Sequence, residues 1–538
     1  MLDILIKNGK VFDGTRNPYT WQDIGIKDGK IVSVKRNLNM EATTVIDATG
    51  LAVSPGFIDP HVHSDLLITK PEIHAIKVKK GVTTELLGQD GISVAPVTSA
   101  TKPLWQAQLK GLNGDIGDWP WESVASYLHY LSETKSLTNA AFLVPHGNIR
   151  TMVMGFENRF ATEEERIAMR KLAEQGMEEG AVGFSSGLVY PPNSFSDTAE
   201  LIEICKGVAK YDGCFVVHMR NESHNILIAV EEMLEVARES GVRLHISHFK
   251  VMGLRNRALF AEVLAKMEVA REEGIEVTFD QYPYTAGSTV FHAILPPWVH
   301  DGGTEKMLAR LRDHEEREKI KADFLTNLDY ENWVYNCGWK NIVLSSIGAD
   351  DYKEYEGKSV QDIAAMVGQE EADLAFDLLL KANGDVTMIG HWGVEEDITK
   401  AMQSPYHMVG SDSIFGGKPH PRLSGTQPRI LGRYVRELNV LTLEEAIHHM
   451  TGAPAQLLRL KDRGLIQEGY WADIVIFDPA RIADHATYAL PLEEPQGIEY
   501  VLVNGLVCVE HGECNLALNG QIIKQVNDVS EEALSTTR

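Results

Sequence analysis

The sequence predicts an α/β protein centred on a (β/α)8 TIM-type barrel, with a small β-sandwich built from both chain ends and an inserted lid subdomain. Three observations predict this fold. Apolar runs alternate with helical patterns through the middle of the chain, short strands with hairpin turns occupy both ends, and one connection between barrel units spans about 120 residues. The 538 residues exceed an ordinary single domain, which agrees with one large unit and one smaller unit.

The barrel prediction depends on eight apolar runs with the near-continuous hydrophobic character of strands buried on both faces. These runs are Gly56–Asp59, Thr83–Leu87, Ala141–Val144, Ala181–Phe184, Cys214–Val217, Arg243–Ser247, Glu276–Phe279 and Tyr406–Gly410. Helical periodicity between them is clearest at Glu163–Glu179, Thr198–Tyr211, Ile226–Ser240 and Arg257–Glu273. A doubly wound open sheet is the alternative, but it predicts a glycine-rich phosphate loop after the first strand, where this chain has Asp59-Pro-His-Val-His63.

Both ends of the chain carry alternating strands separated by turns such as Asn8-Gly9 and Asn504-Gly505. Neither end alone buries two faces of a sheet, so we assign residues 1–54 and 465–525 to one shared β-sandwich and residues 55–464 to the barrel.

The long connection, at about residues 286–400, contains helical segments at Thr304–Leu325 and Ser359–Ala382. Its length is typical of a lid or binding insertion, and an inert surface subdomain is the alternative. Residues 526–538 form a polar tail.

Composition narrows the class of partner. The formal net charge of −25 argues against nucleic-acid binding, which needs a basic face. We expect no membrane association, because no apolar stretch is long enough to span a bilayer and the N-terminus lacks a signal-peptide pattern. The five cysteines are few, odd in number and unpatterned, which favours a cytoplasmic location.

Polar residues that bind metals follow the predicted barrel strands at the end where barrel active sites lie. His61 and His63 alternate after the first strand and therefore share a face. The residues of this type at equivalent strand ends are His61, His63, His218, His248, Asp280 and Asp412, and the turn after strand two carries Asp90. Imidazole and carboxylate ligands suit Zn(II) and its neighbours, and these residues are enough for one or two ions.

Several motifs carry a family resemblance that runs nearly end to end. They are Pro55-Gly-Phe-Ile-Asp-Pro-His-Val-His63, Gly81-Val-Thr-Thr84, Ser185-Ser-Gly-Leu-Val-Tyr190, His218-Met-Arg-Asn-Glu222, Ser247-His-Phe-Lys250, Gly410-Ser-Asp412 and Pro419-His-Pro-Arg422. The first resembles the amidohydrolase superfamily as a whole. The motifs at 185–190, 247–250 and 419–422 resemble the N-acyl-D-amino-acid deacylases, or D-aminoacylases, within it.

The resemblance implies a role for each matching residue. It implies that His61 and His63 bind one metal subsite, that His218 and His248 bind a second, tighter subsite, and that Asp412 is the catalytic acid and base. It also implies that four residues bind the α-carboxylate and orient the substrate, namely Tyr190, Lys250, Tyr282 and Arg422.

The chain departs from the family pattern at Asp90, which stands where the deacylases carry a metal-binding cysteine. We predict that Asp90 is a metal ligand, although a carboxylate is a harder ligand than a thiolate. Ser185 and Ser186 occupy the end of strand four, where related cyclic-amide hydrolases carry a lysine that becomes carboxylated.

The resemblance therefore implies metal-dependent hydrolysis of the amide bond of small N-acyl-D-amino acids. The alternatives are a hydantoinase- or dihydroorotase-like cyclic-amide hydrolase and a non-catalytic structural paralogue. A substrate with an acidic side chain would need a further cation, for which Arg220 and Arg255 are the candidates. Homo-oligomerisation is left open.

Overall fold

The barrel is present, and its eight parallel strands follow one another around the sheet in chain order. The computed structural model describes residues 1–113 and 117–525, so the predicted tail at 526–538 lies outside the described residues. The barrel strands are Phe57–Asp59, Val82–Leu87, Asn139–Pro145, Gly183–Gly187, Cys214–His218, Arg243–Ile246, Val277–Gln281 and His407–Val409. Every predicted strand is thus confirmed, with ends shifted by a few residues.

The first and last barrel strands meet through the residues that follow them. Val62 and Ser413 form a parallel bridge. The backbone N–H of Asp412 donates to the carbonyl of His61 at 2.8 Å, and that of His63 donates to the carbonyl of Ser413 at 3.3 Å. These contacts bring the histidine pair of strand one beside the aspartate of strand eight.

Helices surround the barrel as predicted, and capping residues fix several of their starts. Helix Glu163–Glu178 begins with a capping box between Thr162 and Glu165, and its buried side chains face the barrel. The helices of the barrel and its loops are Pro71–Lys79, Lys102–Gln108, Lys110–Asn113, Val124–Thr134, His146–Met154, Glu163–Glu178, Thr198–Ala209, Ile226–Ser240, Phe260–Glu272, Glu395–Met402, Arg422–Arg429, Leu443–Met450 and Gly452–Leu457, with a π-helix at Ile430–Glu437. Within the described ranges, none has the length and apolar character needed to cross a membrane.

Strands from both chain ends join in a single mixed sheet, so both ends contribute to one β unit, as the predicted β-sandwich requires. Its nine strands are Leu2–Val11, Thr20–Lys27, Lys30–Lys35, Ala42–Asp47, Ala52–Pro55, Ile474–Phe477, Ile498–Val503, Leu506–Glu510 and Glu513–Cys514. The antiparallel pair of Ala52–Pro55 with Ile474–Phe477 joins the two ends. Isoleucines from both ends, including Ile24 and Ile474, share one core, while Val475 and Phe477 face the second core that continues into the barrel.

The insertion has its own structure, including a three-stranded antiparallel sheet that the sequence analysis did not predict. Its strands are Ala286–Val290, Val386–His391 and Ile342–Ile347, in spatial order. Its helices are Thr304–Arg312, His314–Thr326, Trp333–Cys337, Val360–Val367 and Glu371–Lys381. Each long helical segment predicted here is two helices, and Asp313, which caps the second helix of the first pair, explains one of the breaks.

Candidate metal centre and active site

The structure brings the predicted ligands and the predicted acid–base residue into one cluster. The residues of this cluster are His61, His63, Asp90, His218, His248 and Asp412, all of them buried. Asp90 lies close to both histidine pairs, His61 with His63 and His218 with His248. Asp90 Oδ2 lies 3.5 Å from His63 Nε2, and Asp90 Oδ1 lies 3.8 Å from His61 Nε2 and 4.0 Å from His248 Nε2.

Left-handed backbone conformations aim three of these side chains. The φ angles are +56° at Asp90, +34° at His248 and +47° at Asp412. Non-glycine residues adopt such angles rarely and mostly where the surrounding structure enforces them. The turn that carries Asp90 also needs Gly88, with φ +80°, because a Cβ there would lie 2.4 Å from the carbonyl oxygen of Leu143.

The unpaired polar atoms of the cluster fit a divalent cation. Within the described residues, both ring nitrogens of His61 and of His218 are buried without a hydrogen-bond partner, and so is Asp90 Oδ1. Buried polar atoms nearly always have a partner. Imidazole nitrogens and carboxylate oxygens are the donors that zinc and similar ions prefer, so this donor set suits one or two such ions.

Charge–charge interactions within the cluster are strong. Burial disfavours the charged form of every member, yet the carboxylates of Asp412 and Asp90 hold the pKa of His61 well above its ordinary value. The same pairing keeps the pKa of Asp90 well below the ordinary range. For His218 burial dominates and lowers the pKa to about 3, which leaves a neutral imidazole able to bind a cation.

Asp412 is held by Arg422. Arg422 Nη1 lies 2.9 Å from Asp412 Oδ2, while Arg422 Nη2 donates to the carbonyl of Ser288 at 2.9 Å. The guanidinium also stacks 4.5 Å from the centre of the Tyr282 ring. Burial raises the pKa of Asp412, but the charges of Arg422 and His61 outweigh it and keep the carboxyl ionised. Arg422 is fully buried and does not line the cavity described below.

A small cavity opens onto the cluster. Three of the four residues predicted to bind substrate, Tyr190, Lys250 and Tyr282, line it. Tyr190 Oη and Thr289 Oγ1 are 2.7 Å apart, which joins barrel strand four to the insertion. Lys250 Nζ lies 2.9 Å from His248 Nδ1 and forms a close ion pair with Glu222.

Glu222 and Glu331 are site residues to which the sequence analysis gave no role. Glu222 Oε2 lies 3.4 Å from His218 Nε2, and its Oε1 lies 3.3 Å from His248 Nδ1. Glu331, from the insertion, accepts the backbone N–H of Glu222 at 2.6 Å. The four-residue spacing after His218 was a signal for Glu222, whereas no local pattern marked Glu331.

A buried lysine supports the cluster from behind. Lys77, on helix Pro71–Lys79, donates to Asp59 Oδ2 and Ser413 Oγ, both at 2.8 Å, and to Ser411 Oγ at 3.1 Å. Asp59 precedes the histidine pair at the end of barrel strand one, and the two serines flank Asp412 after barrel strand eight. The Lys77 ammonium therefore fixes the ends of both strands.

The two arginines considered for an acidic side chain lie elsewhere. Arg220 pairs with Glu232 at 2.9 Å and donates to two backbone carbonyls. Arg255 stacks 4.2 Å from the centre of the Tyr335 ring and lines a separate cavity. Neither lines the cavity at the cluster.

Known proteins that resemble this chain in sequence and in structure include metal-containing amidohydrolases. A family model described as the amidohydrolase family matches residues 44–509. A D-aminoacylase from Alcaligenes xylosoxydans xylosoxydans is 35% identical over 94% of this chain and 93% of its own. N-acyl-D-glutamate deacylase from Bordetella bronchiseptica, solved with zinc and a phosphonate mimic of the tetrahedral intermediate, matches with a TM-score of 0.81 and 32% identity over 97% of this chain and 99% of its own. A D-aminoacylase structure concerned with a binuclear metal centre matches with a TM-score of 0.82 and 32% identity, over 97% of this chain and 100% of its own.

Four histidines and two aspartates at the carboxyl end of a parallel barrel define a protein of the metal-dependent hydrolase type. The chain belongs to the amidohydrolase family. The resemblance expected from the motifs is thereby confirmed. Its similar relatives within that family are deacylases of N-acyl-D-amino acids.

Proposed function

We propose that this protein hydrolyses the amide bond of N-acyl-D-amino acids and releases a carboxylate and a free D-amino acid. The observation that carries the proposal is one buried cluster of four histidines and two aspartates, open to a cavity lined by Lys250 and two tyrosines. Relatives that share about a third of the sequence and nearly the whole length are deacylases of this kind, which supports the same assignment.

We propose that the cluster binds one or two divalent ions, with zinc as the expected metal. His61 and His63 would hold one ion, His218 and His248 the other, and Asp90 would serve both. When bound, such an ion supplies Lewis acidity, which polarises the scissile carbonyl and lowers the pKa of water.

The protein's own residues supply binding and proton transfer. Asp412, kept ionised by Arg422, takes a proton from the attacking water and returns it to the leaving nitrogen. Lys250 offers a positive charge for the α-carboxylate, and Tyr190 and Tyr282 line the same cavity. A direct grip on the carboxylate by Arg422 stays a prediction. The contacts observed support a second role, in which Arg422 orients Asp412.

The cyclic-amide alternative is less well supported. Hydrolases of that kind are expected to use a carboxylated lysine at the end of strand four, and this chain has two serines there. Ser185 Oγ accepts the backbone N–H of Gly91 at 3.0 Å, and Ser186 Oγ lies 2.9 Å from His146 Nδ1. Both serines thus take part in structural hydrogen bonds.

The test is a substrate screen of the zinc-supplied protein. We expect amine release from N-acetyl-D-amino acids, little from their L-enantiomers, and no ring opening of hydantoin or dihydroorotate. Removing the metal with a chelator should abolish the release, and adding zinc should restore it. Hydrolysis of the cyclic amides alone would replace the proposal with the alternative, and a protein without bound metal or activity would favour a structural paralogue.

The role of Asp412 makes a sharper prediction. Asp412→Asn keeps the shape but removes the base, so kcat should fall by about 1000-fold while the metal content per chain stays unchanged. Asp397→Asn is the matched control, because Asp397 is also buried and paired with an arginine, Arg257, but does not line the cavity. A parallel loss of metal and activity in Asp412→Asn would instead make Asp412 primarily a ligand.

Two further predictions concern the whole protein, namely the domain boundaries at residues 54 and 464 and a cytoplasmic location, while its oligomeric state is left open. All five cysteines are free thiols, which supports a reducing compartment. Cell fractionation would test the location, and light scattering of the purified protein would measure the oligomeric state.

A further inference from the structure

The cavity at the cluster has a polar wall and an apolar wall. The polar wall carries the proposed ligands, Lys250 and the tyrosine hydroxyls. The apolar wall consists of Ile92, Leu112, Trp333 and Ile414, each less than one-tenth exposed. Trp333 belongs to the insertion and Leu112 to helix Lys110–Asn113, so elements outside the barrel strands supply part of this wall.

The cations near the cavity already have anionic partners. Of the lysines and arginines in the described part of the chain, Lys250 alone lines the cavity, and it is paired with Glu222. Arg422 is bound to Asp412 behind the wall, and Arg220 and Arg255 lie outside it. A substrate with two carboxylates would therefore meet a single lysine in the cavity, Lys250, to balance both charges.

We infer that the amino acid released by this enzyme carries an uncharged, mainly apolar side chain, and that N-acyl-D-glutamate and N-acyl-D-aspartate are poor substrates. This inference rests on the proposed function and specifies its substrate class.

The physical reason is the cost of an unpaired charge. If the proposed ions engage the scissile amide and Lys250 takes the α-carboxylate, a carboxylate in the side chain lies against isoleucine, leucine and tryptophan without a second lysine or arginine to balance it. An apolar side chain in the same place instead removes its own surface and that of the wall from water.

The experiment compares substrates that differ in charge but hardly in shape. N-acetyl-D-glutamine and N-acetyl-D-glutamate form one pair, with N-acetyl-D-leucine and N-acetyl-D-methionine as apolar substrates. We expect kcat/KM for the glutamine substrate to exceed that for the glutamate substrate by about 100-fold, with the apolar substrates best of all. Equal or better hydrolysis of the glutamate substrate would overturn this inference while leaving the deacylase proposal intact. Release from none of the D-substrates would overturn both.

A reciprocal variant tests the apolar wall itself. Leu112→Arg places a cation on it without replacing a proposed metal ligand, and should raise the ratio of kcat/KM for glutamate over glutamine substrates by about 10-fold or more. Leu112→Met is the matched control and should keep the ratio of the parent. An unchanged ratio in a folded Leu112→Arg protein would contradict the placement of the side chain against this wall. If that variant does not fold, the comparison of the two substrates in the parent decides the inference.

Discussion

At the scale of single residues, Asp90 is the predicted ligand that links the two histidine pairs of the candidate metal centre. A carboxylate has two donor oxygens, and those of Asp90 point to different histidines: Oδ2 towards His63, Oδ1 towards His61 and His248. A thiolate at the same position would offer one softer donor atom. Asp90 is therefore suited to two ions at once and favours harder ions than a cysteine does.

Replacing Asp90 should change metal binding before anything else. We predict that Asp90→Ala lowers metal affinity strongly, because it removes a ligand itself. The loss should exceed the roughly 10- to 100-fold seen when a residue that only hydrogen-bonds to a ligand is replaced. Asp90→Cys should recover zinc binding in part. Metal content and competition with a chelator measure the effect. In cobalt-substituted protein, a thiolate-to-cobalt absorption band should appear in the cysteine variant alone.

The outcome that contradicts this assignment is an Asp90→Ala protein with the metal content and chelator resistance of the parent. Asp397→Ala serves as the control here, since it removes a buried aspartate that is not part of the cluster.

Residues that follow the barrel strands could be predicted, whereas Glu331, in the insertion, could not. His218, His248 and Asp412 each follow an apolar run directly, so a parallel barrel must bring them to one rim. Glu331 reaches the site from the insertion, about 110 residues after the strand that carries His218, and only tertiary packing places it there. The ion pair of Arg422 with Asp412 depends likewise on the path of a loop.

At the scale of elements, the insertion completes the site as well as covering it. Ser288 and Thr289 of its first strand and Trp333 of its short helix line the cavity. Glu331, just before that helix, accepts the buried N–H of Glu222, and Glu222 contacts both Lys250 and His248. Through Glu331 and Glu222, the insertion therefore helps to position Lys250, a predicted substrate-binding residue, and His248, a predicted metal ligand.

Glu331 gives the element-scale prediction. Glu331→Ala leaves the buried N–H of Glu222 without a partner, which should cost about 1–3 kcal/mol of stability and lower kcat/KM by about 10-fold. Burial and the charge of Glu222 raise the pKa of Glu331 to about 8, so the neutral Glu331→Gln, which keeps an acceptor oxygen, should behave like the parent. Urea unfolding and steady-state kinetics measure both. If the glutamine variant is as impaired as the alanine variant, Glu331 acts through its charge instead.

The strand pairing in the sheet of the insertion could not be predicted from local sequence patterns. Its strands Ala286–Val290 and Val386–His391 are about 95 residues apart in the chain, and no hairpin turn joins them. Their pairing depends on long-range contacts. The first seven barrel strands, by contrast, alternate with local helices, and their order follows from the chain alone.

At the scale of the whole molecule, one polar junction joins the C-terminal strands to the barrel. Asp473, just before strand Ile474–Phe477, forms a close ion pair with Arg463 and accepts the side-chain N–H of Asn139, on barrel strand three, at 3.0 Å. It also accepts the backbone N–H of Asn504 at 2.7 Å. Asp473 and Arg463 are both less than one-tenth exposed, so water does not replace these contacts.

Asp473 therefore carries the last prediction. Asp473→Ala should lower the free energy of unfolding by about 3–5 kcal/mol, because it leaves the Arg463 guanidinium buried without its counter-ion. Glu157→Ala is the matched control, since Glu157 also pairs with an arginine, Arg159, at 2.7 Å, but the Glu157 and Arg159 side chains are 63% and 42% exposed. That variant should lose at most about 1 kcal/mol. The measurement is urea unfolding at a fixed zinc concentration, because bound metal stabilises the folded state. Equal losses in the two variants would show that the apolar face of the sheet, and not this junction, holds the chain ends against the barrel.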